Sequence, residues 1–135
     1  MKEILHDIMQ QEMNALKELL SALEEQHKFL AHNEIINLEA LVEKIDECNK
    51  NVAKIEVERR KITNGEPMKK LVQDCKDNEL EACYRDINKL LQELKVQKDT
   101  NELLIRKGLS FSSQMLNLLK PDRNAKTYNA YGRSK

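Results

Sequence analysis

The sequence predicts an all-α protein: an antiparallel bundle of three long helices with an extended C-terminal helix and a disordered tail. Three observations lead there. Apolar residues recur at alternating spacings of three and four along most of the chain, the pattern of helices with one buried stripe. Aromatic residues make up only 4% and charged residues 34% of 135 residues, with 3 Gly and 2 Pro, a composition suited to long helices rather than sheets. Break signals are concentrated at a few places, around 33, 63–67 and 121.

The first helix is expected over 3–31. Met9, Met13, Leu16, Leu20, Leu23, His27 and Leu30 form its stripe, widened by Leu5, Ile8 and Leu19. The phase then slips by one residue, because Leu38 follows Leu30 at a distance of eight. A turn at His32-Asn33-Glu34 accounts for the slip, with Asn33 as candidate N-cap of the next helix. The second helix, over 34–63, carries Leu38, Leu41, Ile45, Cys48, Val52, Ile55, Arg59 and Ile62. It stops at Thr63-Asn64-Gly65-Glu66-Pro67, where glycine and proline both favour a turn.

A short helix over 68–76, with Met68, Leu71 and Val72, serves as connector. The third long helix is expected over 79–119, on the row Leu80, Tyr84, Ile87, Leu91, Leu94, Lys98, Asn101, Ile105, Gly108, Ser112, Met115 and Leu119. Lys120-Pro121 ends it, because proline lacks the backbone donor that a helix needs. Residues 1–120 therefore read as one helical domain, and 121–135 as a flexible basic tail.

The helix lengths are unequal, about 45 Å for the first two and about 60 Å for the third at 1.5 Å per residue. The C-terminal end of the third helix is the one expected to lack internal partners. It carries Leu109, Phe111, Met115, Leu116, Leu118 and Leu119. An apolar surplus of this kind either packs at home or receives a partner helix. Charge is also uneven: residues 1–32 hold three basic and six acidic side chains, and 108–135 hold five basic and one acidic. A solvated tail explains that distribution, and steering of a partner is its functional counterpart.

Several function classes are disfavoured. The formal net charge is +0, whereas nucleic-acid binding draws on a basic excess. No apolar run reaches the roughly 20 residues of a membrane span, and the first residues lack the order of a signal peptide, so a cytoplasmic location without membrane insertion is expected. Cys48, Cys75 and Cys83 are odd in number and widely spaced, as befits reduced apolar fillers. Glu3-x-x-His6 and Glu24-x-x-His27 match the Glu-x-x-His element of di-iron bundles. Both lie on one helix, about 31 Å apart along its axis, so they cannot share a metal within one chain. No phosphate loop, metalloprotease motif or nucleophile elbow occurs in the sequence. The expectation is a binding protein with no enzymatic activity, no metal and no cofactor.

The ordered features also resemble a known family. They are the Leu-rich opening helix, Leu38-Glu39-Ala40-Leu41-Val42-Glu43-Lys44, Glu58-Arg59-Arg60, Asn101-Glu102-Leu103-Leu104-Ile105, and Leu119-Lys120-Pro121 followed by Tyr128 and Gly132. In this order they resemble the flagella synthesis protein N family, the flagellar export chaperones of the hook–filament junction proteins. The resemblance implies a cytoplasmic type III export chaperone. Such a chaperone binds the C-terminal helical segments of hook-associated proteins, prevents their premature assembly and brings them to the cytoplasmic domain of the export gate. It also implies a client-binding region on the last helix, at Leu104, Ile105, Leu109, Phe111, Met115, Leu116, Leu118 and Leu119. Gate docking would then fall to Tyr128, with Tyr131 and Gly132 beside it. A monomer or weak homo-oligomer is expected. A sister export chaperone for flagellin or the filament cap, or a structural coiled-coil or tethering protein, are the alternatives.

Overall fold

The computed structural model describes residues 2–119, 129–130 and 133–134, with side chains through Gly108 and at Asn117 and Leu118. Four helices follow in order: α1, Lys2–Ala31; α2, Ile35–Thr63; α3, Met68–Cys75; and α4, Asn78–Leu119. Two two-residue strands, β1 at Asn129–Ala130 and β2 at Arg133–Ser134, pair antiparallel with Asn129 opposite Ser134. The chain divides into two compact units, Met1–Asn101 and Glu102–Lys135, so the division falls inside α4. The all-helical bundle with a short connector agrees with the sequence expectation, and each helix boundary lies within one residue of it.

Within the first unit, ion pairs reveal the helix directions. Arg59 meets Glu12 at 3.0 Å and Lys44 meets Glu25 at 2.9 Å, so α2 runs back along α1. Lys2 meets Asp77 at 3.2 Å, and Asn101 reaches the carbonyl of Leu23, so α4 runs parallel to α1. The order is up, down, up, with α3 linking α2 to α4 at the starting end. One core results. Leu5, Met9 and Leu80 are wholly buried, joined by Ile8, Leu16, Leu23, Ile55, Val72, Ile87, Leu90 and Leu94.

The turns show why the helices stop where they do. Asn33 has φ of +54°, the left-handed conformation in which asparagine is tolerated. The Glu34 N–H donates to the Phe29 carbonyl at 2.9 Å and the Asn33 N–H to the Leu30 carbonyl at 3.3 Å. That pair of bonds is the Schellman closure of α1. Asn33 is thus the left-handed residue that ends α1, not the N-cap of α2. The cap position of α2 is Glu34, which makes no side-chain cap bond. Asn64 and Gly65, with φ of +54° and +79°, close α2 in a similar way.

A second correction concerns α4. Its buried row is Leu80, Cys83, Ile87, Leu90 and Leu94, ending at Asn101. Leu91, expected on the buried stripe, is 46% exposed. Tyr84, also on the expected stripe, is half-buried. Leu90 and Leu91 are chemically identical, and which one turns inward depends on where the partner helices lie.

Candidate functional site

Arg59 occupies a core-facing position of α2, which is explained by its partner. Its guanidinium Nε donates to Glu12 Oε2 at 3.0 Å, with both side chains about four-fifths buried. Burial pushes the Glu12 carboxyl up from its ordinary value, and the adjacent Arg59 only partly offsets that effect. In a buried pair of this kind the attraction is set against lost hydration, and removing one partner would strand the other charge. Beside it, a groove of ≈ 150 Å³ is lined by Leu16, Val52, Ile55, Ile87 and Leu91. That volume is below the roughly 300–1,000 Å³ of small-molecule sites.

A second polar feature closes the far end of the first unit. Asn101 is 1% exposed. Its Nδ2 donates to the Leu23 carbonyl at 2.8 Å and to Gln26 Oε1 at 2.9 Å. Gln97 Nε2 donates to Asn101 Oδ1 at 3.0 Å and lies 2.7 Å from His27 Nδ1. His27 is thus a helix-packing histidine tied to Gln97. His6 is partly exposed, with Nε2 3.9 Å from Glu79. Among the described residues, no group of three or more metal-ligating side chains comes together. Burial pushes the thiols of Cys48 and Cys83 up, away from the thiolate form that reacts and binds metals.

At the opposite end, Asp77 caps α4. Its Oδ1 accepts from the N–H groups of Glu79 at 2.8 Å and Leu80 at 3.3 Å, satisfying donors that the helix itself leaves unpaired. The hydrogen bond from Lys2, followed by the two backbone bonds, holds the Asp77 carboxyl below its ordinary 3.8. A lowered folded-state value means that the stabilisation is present above pH 3.8 and is lost as the pH falls through the folded-state value. Asp77→Asn retains a capping oxygen and removes the charge. Urea midpoints of the two proteins between pH 5 and 2 are expected to differ most at pH 5 and to converge at the acid end. A constant difference would show that the charge on Asp77 plays no part.

The expected binding residues lie on α4. Leu104 is half-buried, Ile105 is 38% exposed and Leu118 is 78% exposed. Leu103, 45% exposed, is a further apolar side chain of α4 outside the expected set. Leu109, Phe111, Met115, Leu116 and Leu119 are helical positions whose side chains lie outside the described residues. Tyr128, Tyr131 and Gly132 also lie outside the described residues. Sequence periodicity gave no signal for the Gln97–His27 bond, which joins residues 70 apart in the chain.

This arrangement defines a class, a helical-bundle protein whose last helix presents apolar side chains on its surface. A family model described as FlgN protein matches residues 1–135, and the chain belongs to that family. The FlgN family is a chaperone family of flagellar protein export rather than an enzyme family, and it binds hook-associated proteins. None of the curated proteins and none of the solved structures compared matches the chain. No helix among the described residues is long and apolar enough to cross a membrane.

Proposed function

We propose that this chain is a cytoplasmic export chaperone that binds the C-terminal helical segments of hook-associated junction proteins. It holds them back from premature assembly and delivers them to the cytoplasmic domain of the export gate. The observation that carries this reading is the exposure of Leu103, Ile105 and Leu118 on one helix, in a chain that the FlgN family model matches throughout. Exposed apolar side chains suit an amphipathic client helix, which would add its own apolar stripe. Leu104, Leu109, Phe111, Met115, Leu116 and Leu119 complete the proposed surface. An interface of standard size would bury about 1,200–2,000 Å² in total. The chaperone domain spans 1–120, with 121–135 as an appended tail, and the chain acts as a monomer or weak homo-oligomer.

Calorimetry with a purified hook-associated protein tests the client claim. Full-length client is expected to bind, and client lacking its C-terminal helical segment is not. Equal binding of both would overturn the reading.

Docking at the gate is assigned to Tyr128, with Tyr131 and Gly132 beside it. A tyrosine supplies a large apolar ring and a hydroxyl at small entropic cost. Tyr128→Ala is expected to leave the thermal midpoint and client affinity unchanged while weakening binding to the purified cytoplasmic domain of the gate. A chain truncated at Pro121 that still bound the gate normally would show that docking lies elsewhere.

A further inference from the structure

We infer that Asn101 and Gln97, working with His27, form a polar pin that selects which of two apolar seams of α4 is buried against α1. Leu80, Ile87, Leu94 and Asn101 are seven residues apart and common to both seams. The seams differ in the row that accompanies them: Cys83, Leu90 and Gln97 in one, Tyr84, Leu91 and Lys98 in the other. Apolar burial alone discriminates weakly between them, because each offers one leucine and one further side chain with apolar character. The structure buries the first row. Cys83 and Leu90 are 8% and 6% exposed, while in the second row Tyr84 is only half-buried and Leu91 is 46% exposed.

The hydrogen bonds supply the missing discrimination, and they have a fixed direction. The Leu23 carbonyl belongs to the backbone of α1 and can only accept. It therefore orients the Asn101 amino group toward α1 and turns Oδ1 toward Gln97. Gln97 must then present its amino group, whose remaining hydrogen meets His27 Nδ1, so that this nitrogen is the acceptor. In the competing seam, position 98 would take the place of 97, and the ammonium of Lys98 would have to shed water to enter. A slip of one heptad toward the start of α1 would put Leu19 and Leu20 where Gln26 and His27 stand, and neither offers a hydrogen bond from its side chain. A single asparagine at a core heptad position fixes register by this physics, at some expense in stability.

Native Cys83 reports the seam directly. It lies on the buried row, and a cysteine placed at Leu91 lies on the exposed one. In Leu91→Cys protein, thiol labelling mapped by peptide mass spectrometry is expected to be at least about tenfold slower at Cys83 than at position 91. Adding Asn101→Leu, or separately Gln97→Leu, should bring that ratio toward one while the urea midpoint stays level or rises. An unchanged ratio in both variants would overturn the inference, since burial alone would then choose the seam. Loss of helical circular dichroism in both would also overturn it, because the amides would then be needed for folding itself. If only one variant folds, its ratio decides.

Discussion

Replacing Phe111 or Met115 with glutamate is expected to abolish co-purification of the hook-associated client while leaving helical circular dichroism largely intact. Ile105→Glu and Leu118→Glu should weaken binding in the same direction. Leu118 is 78% exposed, and substitutions at such positions change stability by only about 0.5 kcal/mol. Loss of an apolar anchor at the centre of an interface, by contrast, costs about 2 kcal/mol or more, which is roughly a thirtyfold drop in affinity. The two quantities are therefore separable in one protein. If helix content collapses in the Phe111 and Met115 variants, those residues are core, and the binding surface must be sought elsewhere. If affinity is unaffected in all four variants, the last helix is not the client site.

Leu80→Ala carries the largest expected effect on stability. Leu80 is wholly buried beside the first turn of α4, in the cluster that includes Leu5, Met9 and Val72. Truncating a buried leucine to alanine removes its transfer free energy and leaves a cavity, together about 2–5 kcal/mol. A domain of this kind has about 5–15 kcal/mol in all, so the urea midpoint should fall by a large fraction. Leu91→Ala is the paired control: its side chain is nearly half exposed, and its truncation should cost a small part of that amount. Equal losses at 80 and 91 would mean that the buried seam of α4 is the other one.

In the proposed role, capture of the client would rest on burial of apolar side chains of α4.

By itself the sequence determined the helices, their ends and the class of protein. Heptad spacing is a local property, set by 3.6 residues per turn, and Gly65, Pro67 and Pro121 act on their own backbone. The elements could therefore be placed to within a residue, and the ordered motifs pointed to the family that the whole chain matches. The tertiary structure decided what depends on a partner helix. Neighbouring positions on a helix differ by about 100°, so periodicity could not choose Leu90 over Leu91 for the core. Asn33 looks like a cap in sequence, but the bonds to Phe29 and Leu30 make it the left-handed end of α1. Arg59 in an apolar row becomes intelligible only with Glu12 opposite, 47 residues away in the chain. Asn101 gains its meaning from a backbone carbonyl 78 residues away. Such pairings depend on how α1 and α4 align, and nothing local to either helix records that alignment.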